Sequence, residues 1–450
     1  MSSASSTSTS TPVPFGAAMR EQFCLDPEWK NLNHGSYGTY PLPVRSALQS
    51  HQHLAESSPD LFIRRTSPAL SAESLSQLSS LLNVPASTLA FTKNATTAVS
   101  TVLHNIPFTA SDVVIYFDTV YGAVEYGLIS LSERSPVQLR KVEYELPVSH
   151  DEIVNRFKAL VEKVQTEEGL NVKAAVFDTV VSMPGVRFPW EKLVEACREL
   201  DVLSIVDGAH GIGMFKVDLG AVKPDFWGSN LHKWLYVPRG CAVLYVAPEH
   251  QHLIRTTLPT SWGYIPSTSL ASTGKDAEAT ALAYRTLFQS TATNDDTPYH
   301  CVPAALTFRK EICGGEERIH AYLEQLVNEA ADLVANILGT EVLQERGLKE
   351  GEKSLLRSCA LNNVRLPIVV QTTTGEDASV MDWTKPGPEG SLYAPLPKTL
   401  AGQVAGWIQG KLMDEYKTFL PVFVYKGWLW TRLSAQVYLE LKDFEWAGDE

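Results

Sequence analysis

Short, wholly apolar runs alternate with longer amphipathic stretches through the middle of this chain. The amphipathic stretches, with apolar residues at three- and four-residue spacing, cover 151–168 and 190–199. Strands that are apolar throughout are buried on both faces, and intervening helices supply the cover. The pattern predicts an α/β fold with a parallel or mostly parallel sheet between helices. The predicted strands are 113–117, 174–177, 203–206 and 241–246.

The pattern differs on either side of this region. Residues 44–82 have helical spacing, and beyond about residue 290 helices alternate with strands in what we expect to be an α+β unit. The chain has 450 residues, more than one hydrophobic core usually supports. No final helix is expected after Trp446. The late helix candidates are 316–338 and 399–412, and the late strand candidates are 363–370, 422–424 and 429–434.

These changes divide the chain into four predicted parts. A Ser/Thr-rich, disordered tail over 1–13 comes first, followed by an N-terminal segment over 14–45 that packs on the small domain. A large domain over 46–300 and a small C-terminal domain over 301–450 make up the rest.

Composition indicates an ordinary globular protein, with 44% hydrophobic and 20% charged residues. The net charge is −13 and no long basic run occurs, so we expect neither a nucleic-acid nor a membrane partner. No apolar run is long enough to span a bilayer, and the first eleven residues lack the features of a secretion signal. The six cysteines are scattered without metal spacing, which predicts reduced thiols, no metal site and a cytoplasmic location.

The segments with the clearest chemistry are Asp-Gly-Ala-His-Gly-Ile-Gly at 207–213 and Ser-Asn-Leu-His-Lys-Trp at 229–234. Asp207 follows the predicted strand 203–206, and Lys233 lies a few residues beyond another apolar run, 226–227. A pyridoxal-phosphate site needs a lysine that forms a Schiff base with the aldehyde and an acid that keeps the pyridine nitrogen protonated. Taken singly, Asp207 fits a helix start and Lys233 a solvated surface. The cofactor interpretation gains from three further polar residues in these segments, His210, Asn230 and His232.

A second polar segment, 92–97, precedes a helical run. Backbone N–H groups at a helix start bind phosphate, so Asn94, Ala95 and Thr96 are candidate phosphate ligands. A simple helix cap by Asn or Thr explains the same residues equally well. Because the carboxyl ends of parallel strands meet at one edge of a sheet, Tyr121, Asp178, Asp207 and Lys233 can share one pocket.

Together these segments resemble the class V aminotransferase family of fold-type I pyridoxal-phosphate enzymes, over nearly the whole chain beyond residue 14. The resemblance implies pyridoxal 5'-phosphate as cofactor, a large domain with a mostly parallel mixed sheet, and a homodimer with shared active sites. It implies that Lys233, Asp207 and Tyr121 are catalytic. Tyr121 would lie over the cofactor face, where a phenol can also move protons; packing is the alternative.

The same resemblance assigns the remaining cofactor contacts. His210 and Ser182 would approach the ring oxygen, and Asn230 and His232 would hold the phosphate. Thr293 would reach the phosphate from the neighbouring subunit.

Candidate substrate contacts come from both ends of the chain. Arg432 matches the family arginine that holds the substrate α-carboxylate by two hydrogen bonds, a task suited to a planar guanidinium. A surface salt bridge is the alternative. His34 and Gly35, in the turn-rich segment 33–38, are further candidates. Arg64 and Arg65 also fit a solvated pair after a helix.

The resemblance extends to one branch of the family. This branch holds isopenicillin N epimerase-like enzymes, the fungal carbon–sulfur lyase of ergothioneine synthesis and the cyclase of loline alkaloid synthesis. It rests on segments 32–38, 118–122, 182–189, 230–235 and 432–440.

Within the branch, a missing cysteine separates the possible reactions. The lyase has a cysteine shortly after the segment of Tyr121, whereas this chain has none between Cys24 and Cys197. We therefore expect non-transaminase chemistry on an amino acid through an α-carbanion, and first a ring-forming, Mannich-type enzyme of fungal alkaloid biosynthesis. Hercynylcysteine sulfoxide C–S lyase and amino-acid epimerase are the alternatives. The intact pair of Asp207 and Lys233 argues against a non-catalytic scaffold.

Overall fold

The computed structural model of the protein describes residues 11–268, 276–289, 291–349, 351–371 and 394–449. Its helices are α1 Ala17–Arg20, α2 His34–Tyr37, α3 Leu42–Ser57, α4 Pro59–Leu61, α5 Ser67–Leu82, α6 Ala95–Asn105, α7 Gly122–Arg134, α8 His150–Thr166, α9 Trp190–Glu199, α10 Leu219–Val222, α11 Leu231–Trp234, α12 Ala277–Gln289, α13 Val302–Thr307, α14 Glu316–Leu338, α15 Ala401–Asp414 and α16 Leu441–Asp449. Its strands are β1 Leu89–Thr92, β2 Asp112–Phe117, β3 Gln138–Val142, β4 Asn171–Asp178, β5 Val180–Val181, β6 Val186–Arg187, β7 Leu203–Asp207, β8 Phe226–Asn230, β9 Ala242–Val246, β10 Leu361–Gln371, β11 Ala394–Pro397, β12 Val422–Tyr425 and β13 Trp428–Ser434.

A seven-stranded sheet in the order β1-β9-β8-β7-β4-β2-β3 forms the centre of the molecule. Strands β3, β2, β4, β7 and β8 run parallel, and β9 is antiparallel to both of its neighbours. The expected mostly parallel mixed sheet is confirmed. The apolar run at 241–246 does form a strand, but its direction could not be predicted, because burial on both faces makes parallel and antiparallel strands equally apolar.

Residues along the central strands alternate between two apolar clusters, one on each face of the sheet. Val176 and Ile205 pack with residues of α6 and α7, whereas Phe177 and Val206 pack with residues of α8 and α9. Both faces are therefore covered by helices, and the polar groups that end these strands gather at one edge of the sheet.

The second sheet has the order β11-β10-β13-β12 and is flanked by α14 and α15. The expectation that the chain lacks a final helix is wrong, since α16 spans Leu441–Asp449 and packs on α14. The signal was present in the sequence. Leu441 and Phe444 are three residues apart, and Phe444 is fully buried.

The N-terminal segment packs against the late part of the chain. Met19, Phe23 and Leu32 are buried in one cluster with side chains of α14, β10 and β13. Lys30 forms a β-bridge with Thr418. These contacts agree with the predicted packing of 14–45, although the domain boundaries themselves stay a prediction. Residues 1–10 of the predicted tail lie outside the described residues.

Candidate active site

Lys233 lies on α11, directly after β8, and its side chain is half-buried in the structure. Its Nζ is 3.0 Å from Nε2 of His210, in the turn after β7. Burial lowers the pKa of Lys233 to about 8; Asp207 and Asp178 act against this change, and Arg432 adds to it. Near neutral pH this lysine is therefore closer to its nucleophilic free-amine form than a solvated lysine is.

Two carboxyl groups lie side by side at the ends of neighbouring strands. Asp178 ends β4, Asp207 ends β7, and the two residues are partners in the parallel register. Both side chains are buried. Asp207 Oδ1 accepts a hydrogen bond from the N–H of Ala209 at 2.9 Å, whereas Asp178 accepts none from a described residue.

The two carboxyl groups also share a perturbed titration. Burial raises the pKa of Asp178, and the charge of Asp207 raises it further. Burial likewise raises the pKa of Asp207, against the opposing effects of the Ala209 N–H and Lys233. The sequence predicts Asp178 to be a member of the pocket but predicts no role for it.

The start of α6 lies beside Asn230. The N–H of Ala95 donates to Asn230 Oδ1 at 2.9 Å. Asn94 caps the helix, with its Oδ1 accepting from the N–H of Thr97 at 2.8 Å. The N–H of Thr96 has no acceptor among the described residues. The helix-cap interpretation of Asn94 is the geometry observed, and the predicted phosphate residues 94–96 and Asn230 form one corner.

His232, also predicted to hold phosphate, points Nδ1 at the carbonyl oxygen of Cys241 at 3.1 Å. A carbonyl only accepts, so Nδ1 carries the proton and a neutral ring has only a lone pair at Nε2. Burial lowers the pKa of His232 to about 4. A phosphate oxygen could therefore bind Nε2 only if it made His232 protonate, as an adjacent anion favours.

Arg432 is buried, which excludes the alternative of a surface salt bridge. Its Nη1 donates to the carbonyl oxygen of Ser182 at 2.8 Å. Its Nη2 donates to Asn33 Oδ1 at 2.8 Å and to Ser36 Oγ at 3.0 Å. No carboxylate of the described chain pairs with it, and burial lowers its pKa to about 10. A substrate carboxylate that forms two hydrogen bonds with this guanidinium would replace one of these neutral acceptors.

His34 and Gly35 are buried with their polar groups bonded to protein. His34 contacts the Tyr438 hydroxyl through Nδ1 at 2.9 Å and the Lys233 carbonyl through Nε2. The N–H of Gly35 donates to Ser434 Oγ at 2.9 Å. Nearby, a Cβ on Gly38 would lie 1.8 Å from the carbonyl oxygen of His232, so only glycine allows this close approach. The segment fixes the lysine helix against the small sheet.

The remaining candidates are more exposed. Tyr121 precedes α7 and is 47% exposed. It follows β2, so it lies at the same sheet edge as Asp178 and Asp207. Thr293 is exposed, in a segment that Lys93 contacts through Asp296 at 2.8 Å. Arg64 and Arg65 are exposed, and Arg64 pairs with Asp60, which fits the solvated interpretation.

Sequence reasoning missed several residues that build the site. Asn33 and Ser36 lie in segment 33–38, where the sequence predicts only His34 and Gly35 as substrate contacts. Asn363 accepts from the N–H of Gly185 at 2.7 Å and donates to its carbonyl at 2.9 Å, which holds the turn after Ser182. Nothing in the sequence marks Asn363, because its partner is 178 residues away.

The groups that protein leaves unsatisfied fit pyridoxal phosphate. A buried carboxyl pair lies near the half-buried Lys233, the Thr96 N–H is open at a helix start, and the buried hydroxyl of Thr179 beside Asp178 has no partner among the described residues. A pyridinium, a phosphate and an aldehyde would complement these groups. No group of three or more His, Cys, Asp or Glu side chains in the described chain could hold a metal ion. None of its helices is long and apolar enough to cross a membrane.

Comparisons with known proteins agree with this geometry. The family profile described as aminotransferase class-V matches residues 67–280. The L-cysteine desulfhydrase-like protein lolT1 of Epichloe uncinata is 40% identical over 448 residues, covering 98% of this chain and 96% of that protein. The hercynylcysteine sulfoxide lyase of Schizosaccharomyces pombe is 29% identical over 437 residues, covering 96% and 95%.

Solved structures show the same fold. The cystine C–S lyase C-DES, in complex with its reaction product cysteine persulfide, superposes with a TM-score of 0.69 at 16% identity, covering 94% of this chain and 97% of that one. The cysteine desulfurase of Thermococcus onnurineus NA1 has a TM-score of 0.69 at 15% identity, covering 98% and 97%.

Proposed function

Because the chain belongs to the aminotransferase class V family of pyridoxal-phosphate enzymes, we propose that it runs non-transaminase chemistry on an amino-acid substrate at the edge formed by β4, β7 and β8. The observation that carries the proposal is the pairing of Lys233 with His210 beside two buried carboxyl groups. Arg432 supports it as a buried cation that lacks a carboxylate partner in the described chain.

Pyridoxal phosphate, when bound, withdraws electrons from the substrate Cα and so makes its proton acidic. Asp207 would face the ring nitrogen as a carboxylate. Arg432 orients the substrate by its carboxylate. Lys233 and Tyr121 move a proton at the substrate Cα, Lys233 through Nζ and Tyr121 through its hydroxyl.

The test of the lysine assignment is chemical. Borohydride reduction should fix the cofactor on Lys233, as read by peptide mass spectrometry. Lys233→Ala should lose bound cofactor on dialysis, whereas Lys216→Ala, at an exposed lysine of the same domain, should keep it. Cofactor fixed on a different lysine would refute the assignment.

Within this chemistry we favour ring closure, as in alkaloid biosynthesis, over carbon–sulfur cleavage. The support is the resemblance to the loline-alkaloid cyclase and the lack of a cysteine between Cys24 and Cys197, where the lyase has one. C–S cleavage is the second candidate, because one relative is named L-cysteine desulfhydrase-like and another is named hercynylcysteine sulfoxide lyase. Epimerisation is third, supported by 30% identity over 330 residues to the isopenicillin N epimerase of Streptomyces clavuligerus.

Product analysis separates these reactions. We expect turnover of an amino acid whose amine tail can close a five- or six-membered ring, and little pyruvate from hercynylcysteine sulfoxide. Rapid, stoichiometric pyruvate release from the sulfoxide would make the lyase correct. Loss of substrate optical activity without a change in mass would make the epimerase correct.

A cytoplasmic homodimer with shared sites completes the proposal. Thr293 supports it, since it is exposed in a segment tied to Lys93, next to the start of α6. If Thr293 serves the partner's site, mixing Lys233→Ala chains with Thr293→Arg chains should restore part of the activity, because one site of each mixed dimer is intact. No recovery in dimers shown to have exchanged chains would contradict the sharing.

A further inference from the structure

A chain of hydrogen-bond contacts leads from Trp234 through His210 to the reactive nitrogen of Lys233. The indole N–H of Trp234 donates to Nδ1 of His210 at 3.2 Å. On the other side of the ring, His210 Nε2 lies 3.0 Å from Lys233 Nζ. An indole can only donate, so Nδ1 of His210 must be the acceptor.

His210 has one ring proton in this environment. Burial lowers its pKa well below the ordinary value, and a positive charge on Lys233 or Arg432 adds to the effect. A neutral imidazole that accepts at Nδ1 carries its proton on Nε2. That N–H points at Lys233 Nζ and needs a lone pair there, which an amine has and an ammonium lacks.

We propose that Trp234 is a positioning residue that fixes His210 as the Nε2–H tautomer and thereby shifts Lys233 towards the free amine that captures the cofactor. The inference rests on the proposed function of Lys233 and deepens it. Trp234 contacts His210, and it acts on the reactive nitrogen only through that ring.

Four other titratable groups of the described chain lie around Lys233. Asp207 on β7 and Asp178 on β4 favour the ammonium, whereas Arg432 on β13 favours the amine, and the neutral His232 adjoins on α11. The effects of these charges on the protonation of Lys233 oppose one another. The direction of the His210 N–H therefore adds a preference for the amine that the charges alone do not supply.

Removing the indole N–H releases the tautomer. In Trp234→Phe, the His210 proton can move to Nδ1, and Nε2 can then accept a hydrogen bond from a Lys233 ammonium. The pH dependence of Lys233 acylation in cofactor-free protein, followed by mass spectrometry, reports the change without any turnover. We expect a midpoint near the wild-type pKa of about 8. In the variant it should rise by about one pH unit, leaving about tenfold less free amine at neutral pH.

Trp190→Phe is the matched control. Trp190 is also fully buried, and its indole N–H has no partner among the described residues, so its loss should leave the midpoint unchanged. An unchanged midpoint in a folded Trp234→Phe protein would overturn the proposal, and so would an equal rise in both variants.

A second measurement needs no Trp234 variant. Nitrogen-15 spectra of histidine-labelled wild-type protein, with His210 assigned from a His210→Gln difference, should show a protonated Nε2. A protonated Nδ1 would overturn the proposal. Both readouts use cofactor-free protein, so they stay distinct from failure of the proposed function, which borohydride labelling of another lysine would reveal.

Discussion

Two buried arginines, Arg309 and Arg432, show how the same side chain serves two purposes. Arg309 binds Glu316 with two hydrogen bonds of 2.6 Å and also donates to the carbonyl oxygen of Trp234 at 2.8 Å. Arg432, equally buried, donates only to neutral oxygens. One guanidinium has its counter-charge within the protein and the other does not.

The electrostatic consequences are opposite. Burial would lower the pKa of Arg309, but the charge and hydrogen bonds of Glu316 outweigh burial and raise it. Burial lowers the pKa of Arg432, because no carboxylate compensates it. A buried cation that protein leaves uncompensated attracts an anion, so the missing partner distinguishes a binding arginine from a structural one.

The largest expected effect comes from breaking the compensated pair. Arg309→Met would leave the Glu316 carboxylate with His320 as its remaining partner and would remove a donor from the carbonyl oxygens of Trp234 and Gly213, which should cost about 3–5 kcal/mol of unfolding free energy. Denaturant titration measures it. The double variant Arg309→Met/Glu316→Leu should recover most of the loss. A single variant as stable as wild type would show that the pair adds nothing.

Replacing the planar guanidinium of Arg432 should lower substrate affinity more than protein stability. In Arg432→Lys, a single ammonium cannot reproduce two parallel hydrogen bonds, so substrate affinity should fall by about 1.5–3 kcal/mol, or about ten- to a hundredfold. The loss of stability should be smaller than in Arg309→Met. Substrate titration followed by cofactor absorbance measures the affinity, and an unchanged value would place the carboxylate elsewhere.

Acid should weaken the ion pair of Arg309 and Glu316 and so lower the stability of the protein. Burial would raise the pKa of Glu316, but Arg309 and His320 outweigh burial and lower it from 4.5 to about 2. Because the folded-state pKa lies below the unfolded one, the stability due to Glu316 is complete above about pH 4.5 and is lost as the pH falls towards 2. Stability measured across this window should fall less steeply in the double variant Arg309→Met/Glu316→Leu. Equal slopes would refute the linkage.

The smallest expected effect comes from Ser36, whose hydroxyl competes with the substrate carboxylate for Arg432. Ser36 Oγ occupies Nη2, so Ser36→Ala should leave that donor open for the substrate carboxylate. One neutral hydrogen bond is worth about 0.5–1.5 kcal/mol, so affinity should rise roughly two- to tenfold. Ser50→Ala, on the exposed side of α3, is the control. Weaker binding in Ser36→Ala would mean that Ser36 itself contacts the substrate.

Local patterns predicted what depends on neighbours in sequence. The apolar strands, the helix 316–338 and the order of Asp207 before Lys233 could be read directly from the chain. The direction of β9 could not, because a strand buried on both faces has the same apolar sequence whether it runs parallel or antiparallel to its neighbours. The acceptors around Arg432 could not either, since Asn33 lies 399 residues before it. The Trp234 N–H was within a quoted motif, yet its target is set by how the turn after β7 folds back.

The segment around His34 has a consequence for the protein's synthesis. His34 joins the backbone of Lys233 to Tyr438, which is 404 residues further along the chain. A ribosome therefore releases the lysine helix and its partner strands long before the residue that completes its support has been made. Contacts of such separation form late, because the loop must close first. The nascent large domain should fold around an unfinished centre, and cofactor capture should begin only after Tyr438 has left the ribosome.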